Sequence, residues 1–372
     1  MDLHRLLAMA RKEWIQIRRD PRSMILAFAL PPFLLLFFGY AITWDVDDIR
    51  LAVVDQDRTA ASRRLVEAFV SSGYFTVTEH VATVAEAEEH LVRARVRGVL
   101  TIPAGYDRDL RSGEGVPVQL LLDGADANTA NIAQNYASAI VARHALGELA
   151  RGRKLVQPLR LEPRTWYNPN LESRHMIVPG LIAVIMSIIA AMLTSLTIAR
   201  EWERGTMEQL AATPVGRLEV ILGKLVPYVG IGLFDVTMIV VTGIVIFGTP
   251  FNGSVLYLLV LTLLFLMGAL GLGVFISAAV KSQRLATQVA MVATYLPALL
   301  LSGFLFDIAS MPAFLQGVTF LVPARYYVAV TRGVMLKGVG PSVLWLQAVF
   351  MIGYATLGLG LAVKFFRKEL RA

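Results

Sequence analysis

Six long apolar stretches dominate the chain, at 23–44, 176–199, 225–251, 254–280, 285–306 and 343–363. Each reaches the roughly 20 residues that an α-helix needs to cross a bilayer core about 30 Å thick. The pattern predicts a polytopic α-helical membrane protein with six transmembrane helices. Ahead of the first span, residues 3–19 mix Leu3, Leu6, Leu7, Met9, Ala10, Trp14, Ile15 and Ile17 with basic side chains, which predicts a helix lying in the membrane interface within the segment 1–22. Between the first and second spans the period changes. Strand-like runs at 49–54, 74–78, 98–102 and 116–122 alternate with helix-like runs at 60–71, 84–95 and 128–149, the last with Ala and Ile at amphipathic spacing. This alternation predicts a small α/β domain over 45–172. Within it, 151–170, rich in Pro, Arg and polar residues, reads as the linker back to the membrane. The remainder, 173–372, carries helices two to six, and only 200–222 and 307–337 are polar stretches long enough to form structures of their own.

Composition agrees, since 56% hydrophobic and 17% charged residues leave too few charges to clothe a soluble globule of 372 residues. The net charge of +7 brings nucleic acid to mind, but its distribution argues against such a partner. Residues 45–172 carry 15 Lys/Arg against 18 Asp/Glu, and the remaining 20 basic residues, against 10 acidic, concentrate beside the spans. Arg5, Arg11, Lys12, Arg18, Arg19 and Arg22 precede the first, Lys281 and Arg284 separate the fourth and fifth, and Lys364, Arg367, Lys368 and Arg371 follow the last. The positive-inside rule then puts both termini in the cytoplasm and makes the α/β domain extracytoplasmic. Arg325, Arg332 and Lys337 dissent, because they fall in a loop that this topology places outside. The first stretch is too long for a signal-peptide core, contains Pro31 and Pro32, and ends without a small-x-small cleavage site, so it reads as a retained anchor.

Little in the sequence points to catalysis. There is no cysteine, hence no disulfide or thiolate metal site, and the histidines at 4, 80, 90, 144 and 175 lack metal-ligand spacing. No serine nucleophile elbow is present. The segment from Gly216 to Lys224 looks like a phosphate loop, but six residues separate its glycines and Leu225 follows the lysine, where four residues and a Ser/Thr are required. Asp235 is the one acidic residue well inside a span, about 15 Å from the start of the third. An intramembrane carboxylate either takes a hydrogen bond from a neighbouring helix or serves a cationic substrate or a proton.

The most informative polar stretch is Ala199-Arg200-Glu201-Trp202-Glu203-Arg204-Gly205-Thr206-Met207-Glu208-Gln209-Leu210. It continues the second span as a charged helix, breaks at Gly205 and restarts with Thr206 as the expected N-cap. A further short helix, 217–222, is expected to lead into the third span. This run, with Thr213-Pro214-Val215 and Gly223-Lys224, resembles the hallmark of type-2 ABC transporter permeases of the bacterial multidrug-efflux kind. A second block agrees: Leu301-Ser302-Gly303-Phe304, Met311-Pro312, Pro323-Ala324-Arg325-Tyr326-Tyr327, Arg332-Gly333 and Leu336-Lys337-Gly338. The likeness extends to Val53-Val54-Asp55-Gln56-Asp57 after the first span.

The resemblance implies a permease subunit of the bacterial inner membrane that pairs with a second copy or a paralogue. Two ABC ATPase subunits would bind ATP and magnesium, while the chain itself binds no cofactor. It brings forward Arg200, Glu201, Glu203, Arg204, Gly205, Thr206, Glu208 and Leu210 as ATPase-docking and coupling residues. It also implies re-entrant helices between the fifth and sixth spans. The apolar run 313–322, bounded by Pro312 and Pro323, is too short to cross and is tolerated in lipid only where protein shields its ends. With Asp235, the residues Pro323, Arg325 and Tyr326 are the substrate-path candidates. Drugs and other amphipathic or lipophilic compounds are the implied cargo, membrane lipid the surroundings, and a periplasmic adaptor protein a further partner. The rival reading is an ion-coupled secondary transporter using Asp235.

Overall fold

The computed structural model describes residues 2–42, 48–112, 116–125, 127–149, 166–168 and 172–366. Most of the linker expected at 151–170 lies outside them. The chain folds as two compact units, one of residues 44–163 and one of 1–43 with 164–372.

Three helices open the chain: α1 (Leu3–Arg18), α2 (Pro21–Met24) and α3 (Leu30–Ala41), the last two joined by a π-helical turn at Ile25–Ala29. The α/β unit of residues 44–163 runs β1 (Ile49–Asp55), α4 (Ala60–Val70), β2 (Phe75–His80), α5 (Val84–Val92), β3 (Gly98–Ile102), α6 (Tyr106–Ser112), β4 (Gln119–Leu122) and α7 (Ala127–Leu149). Its sheet order is β2-β1-β3-β4, with β1 parallel to both neighbours and β4 antiparallel to β3. Alternation along β1 explains the two-sided core. Ile49, Leu51 and Val53 pack with Leu65 and Phe69 of α4 and Ala133 and Ala137 of α7, whereas Ala52 and Val54 pack with Ala87 of α5. The sequence missed α6, whose seven residues are too few to show a helical period, and it began β4 three residues early.

The strand ends of this unit carry a tight polar turn. The Asp57 carboxylate accepts hydrogen bonds from the Thr59 hydroxyl and from the backbone N–H groups of Gly105 and Asp107. Burial pushes this carboxyl up, but those hydrogen bonds outweigh it and hold it below its ordinary value.

The other unit continues with α8 (Ser173–Glu203), α9 (Thr206–Ala212), α10 (Arg217–Phe247), α11 (Val255–Val280), α12 (Gln283–Leu300), α13 (Ala313–Thr319), α14 (Pro323–Arg332) and α15 (Pro341–Phe365). A 3₁₀ turn at Ile308–Ser310 precedes α13, and a π-helical turn at Gly333–Lys337 follows α14. Among the described residues, α8, α10, α11 and α15 are each long and apolar enough to cross a membrane. The apolar helix Ile25–Ala41 is shorter, and α12 falls outside that set. The pair α13 and α14 with its π-helical extension is bent by 81°, because the chain breaks ahead of Pro323, whose ring cannot continue a helix from α13.

Helix α8 is the hub, with 23 of its 31 residues buried. Small residues let its neighbours close in. A side chain at Gly273 of α11 would meet the Thr194 hydroxyl of α8, and one at Gly271 would come within 2.7 Å of the Gly358 backbone of α15. The Ser277 hydroxyl of α11 accepts from the backbone N–H of Ile198 and Ala199 in α8, at 3.0 and 2.8 Å.

Two local expectations are corrected. Thr206 is not the N-cap of α9; Gly205 holds that position at φ 70°, a left-handed conformation that favours glycine. The short helix expected at 217–222 is the opening of α10, which runs on to Phe247, and Glu219 fixes its start by accepting from the free Gly216 N–H at 2.8 Å.

Candidate functional site

Where α1, α8, α9 and α10 meet, an otherwise apolar unit buries a set of charges. The stem of Lys224 on α10 is fully covered, and its ammonium donates to Glu13 of α1 at 2.9 Å and Glu201 of α8 at 3.2 Å. Lys12 donates to the same Glu201 oxygen, the Thr206 hydroxyl to the other, and the Tyr228 hydroxyl to Glu13 at 3.2 Å. Beside this cluster Arg200 pairs with Asp20 at 3.0 Å, and Ser23 donates to Asp20 at 2.8 Å. Two carboxylates face two lysines, and an arginine faces an aspartate, so the junction is neutral as well as hydrogen-bonded. Buried ions persist only when balanced in this way.

The geometry follows from spacing on α1. Leu6, Met9, Ala10, Glu13 and Ile17 form one helical face, and all are buried. Gly223 of α10 lets the face sit close, since a side chain there would strike Met9 at 2.5 Å. The N-terminus is tied by the Asp2 N–H to Glu219 and by Arg5 to the Pro214 carbonyl, at 2.6 and 2.7 Å. Only part of the apolar set expected in the interface is therefore free: Leu3, Leu7, Trp14 and Ile15 remain exposed.

The eight docking candidates divide into three groups. Arg200, Glu201 and Leu210 are buried, and the first two are spent on internal ion pairs, so neither offers a surface contact in this conformation. Glu203 accepts from the backbone and side chain of Gln283 at the start of α12, while Thr206 is turned toward Glu201. Arg204, Gly205 and Glu208 are exposed around the α8–α9 corner. Sequence reasoning missed Glu13, Asp20 and Tyr228 and saw in Lys224 only part of a motif. A signal did exist for Glu13: a carboxylate four residues from both Met9 and Ile17 on an apolar face requires a buried cation.

At the other end of α8 the bent segment has a different chemistry. The Arg332 guanidinium donates to the carbonyls of Gly303 and Phe304, at 2.9 and 3.2 Å. Tyr327 stacks on Phe265 at 4.2 Å and shares a hydrogen bond with Thr262. Tyr326 donates to the Phe320 carbonyl and stacks on Phe350 at 4.6 Å. Arg325 bonds to Thr319 and lies 3.9 Å over the Phe320 ring. Pro323 lines a cavity of about 260 Å³, together with residues of α8, α11, α12, α13 and α15 and of the turns at Leu301 and at Leu321 and Val322. Asp235 is not in that lining. It is fully buried in α10, and neither carboxylate oxygen has a hydrogen-bond partner among the described residues. Among the described residues no group of three His, Asp or Glu side chains is placed to hold a metal.

The junction and the bent segment stand at the two ends of a helix packed for crossing a bilayer. From Gly180, against which Arg332 and Phe304 lie, to Glu201 is about 31 Å of helix, the depth of a bilayer core. The long apolar helices make the chain a multi-pass membrane protein. Comparison with known proteins agrees. The chain is 36% identical over 363 residues to the probable multidrug ABC transporter permease YbhS of Escherichia coli, covering 96% of this chain and 95% of that one. It is 30% identical to the probable multidrug ABC transporter permease YbhR of the same organism, over 92% of each chain. It is 23% identical to the linearmycin resistance permease protein LnrN of Bacillus subtilis, over 90% of this chain and 92% of that one. A model of the family described as ABC-2 family transporter protein matches residues 22–364, and the chain belongs to that family.

Proposed function

We propose that this chain is the membrane subunit of an ATP-driven exporter in a bacterial inner membrane. It has six spans, both termini in the cytoplasm and the α/β unit outside. It works as a pair with an identical or paralogous copy, and two ABC ATPase subunits power it. Drugs, in keeping with the multidrug permease names of YbhS and YbhR, lead the substrate list, followed by other amphipathic or lipophilic compounds.

The observation that carries this reading is the ionic junction. It joins α9, through Thr206 and Glu201, to the hub helix α8 and to α1 and α10. A push on the α8–α9 corner is delivered to three helices together, because separating any of them strands a buried charge. The ATPase contact is the exposed corner at Arg204 and Glu208, and the buried residues transmit.

The test is copurification of the tagged chain with its cognate ATPase, followed by ATPase and transport assays. An Arg204→Ala/Glu208→Ala double variant should lose the ATPase while folding normally. Lys224→Met, where it can be purified, should retain the ATPase but lose substrate-stimulated hydrolysis. Stoichiometric ATPase on the Arg204/Glu208 variant removes the corner as the docking surface.

A second reading draws on the unpartnered carboxyl of Asp235: proton-coupled transport without an ATPase. Collapse of the proton gradient at constant ATP distinguishes the two, since only the second stops.

A further inference from the structure

The cavity beneath the bent segment is apolar and does not take part in the ionic junction. Its lining includes Phe265 and Ala269 of α11, Ala293 and Pro297 of α12, Val318 of α13 and Tyr354 of α15. Two of its hydroxyls are already spent: Ser187 donates to the Ala183 carbonyl and Thr294 to that of Ala290, at 2.7 and 2.6 Å. No charged side chain lines it. The helices on either side expose apolar residues, Val292 and Leu296 on α12 and Leu346 and Phe350 on α15, so the recess lies among side chains suited to lipid. Its volume of about 260 Å³ falls below the roughly 300 Å³ at which pockets for drug-sized ligands begin, which favours a single slender chain.

The second observation is a cation beside it. Arg325 follows Pro323 and Ala324 of the lining, and Thr319 and the Phe320 ring hold its guanidinium. Among the described residues no carboxylate lies within ion-pair distance of it. A fixed guanidinium with an uncompensated charge matches a phosphate, which accepts its forked donors.

We propose that the cavity receives one acyl chain of a phospholipid from the leaflet in which α12 ends, and that Arg325 holds the phosphate of that lipid. The site requires only that this unit sits in a bilayer. It stands whether the chain is ATP-driven or ion-coupled.

The test uses the full chain, purified in detergent and stripped of lipid, with phosphatidylglycerol titrated in and bound lipid counted by native mass spectrometry. Ala293→Trp and Val318→Trp fill the cavity from two different helices, and Arg325→Gln removes the phosphate partner. The wild-type chain should take up one tight lipid, either tryptophan variant should weaken that uptake at least about tenfold, and Arg325→Gln should weaken it about tenfold, the loss of one charge-assisted hydrogen bond. Elution volume and thermal midpoint identify a misfolded variant, and the filling from the other helix then decides. Equal uptake by the wild-type chain and a folded tryptophan variant overturns the proposal. So does uptake that depends on Arg325 but not on the cavity, which is headgroup binding alone. So does a wild-type chain that takes a lipophilic dye into the cavity but no phospholipid, which assigns the space to cargo.

Discussion

The two ends of α8 treat charge in opposite ways. At the α1–α8–α10 junction, Lys224, Glu13 and Glu201 are nearly or fully buried and satisfy one another. At the bent segment, Arg332 is half-buried against main-chain carbonyls and Arg325 against a hydroxyl and a ring, with no carboxylate among the described residues in either arrangement. The first arrangement is closed: every charge has its counter-charge inside the chain, and each helix is held by the others. The second is open, since carbonyls and rings orient a cation without neutralising it. A closed network suits the transmission of force, and an open one suits the reception of an anion or the tolerance of movement.

The comparison can be broken most severely at Lys224. Lys224→Met leaves the buried Glu13 carboxylate without its cation, while Glu201 keeps Lys12, and should cost about 3–5 kcal/mol, read as a large fall in the thermal midpoint in detergent. A midpoint equal to that of the wild-type chain would mean the network is not closed. Arg332→Met removes a cation whose partners are carbonyls and leaves no stranded opposite charge, so about 1–3 kcal/mol is expected for the unpaired acceptors. A loss as large as that at Lys224 would erase the distinction between the two ends.

The α/β unit supplies the solvated reference. Asp57 is held below its ordinary value, so its contribution is fully present above an unfolded-state value of about 4 and is lost as pH falls through the lower native value. Protection of the Gly105 and Asp107 amides against hydrogen exchange, corrected for intrinsic rates, should fall across that acid window in the wild-type chain and stay flat in Asp57→Asn. Smallest of all, Arg93 and Glu89 form an exposed pair one helical turn apart, with side chains 58% and 57% accessible. Arg93→Ala should change stability by less than about 0.5 kcal/mol. A measurable loss there would show that ion pairing as such, rather than burial, stabilises this chain.

Much of this was legible in the residues. Apolar runs located the long helices and alternation located the sheet of the α/β unit, because both signals repeat within a few residues. The break at Gly205 was readable, since a left-handed position favours glycine. The surface role expected of Arg200 and Glu201 was not supported by their placement, because a charged residue in a polar stretch reads as exposed until its partners are known. Those partners, Asp20 for Arg200 and Lys12 for Glu201, come from the opening stretch of the chain, far from α8 in sequence.

The sequence by itself determined that this is a membrane protein of the ABC-2 family with an inserted α/β unit. Helical length, strand alternation and motif order are local properties, each carried by contiguous residues. Only the tertiary structure decided that Glu13 meets Lys224 across 211 positions, that Gly223 and Gly271 mark close helix contacts, and that α11, α12, α13 and α15 leave an apolar space beside Pro323. Pairings and voids of this kind depend on how separate helices approach one another, and the spacing of residues along one strand of sequence does not encode that distance.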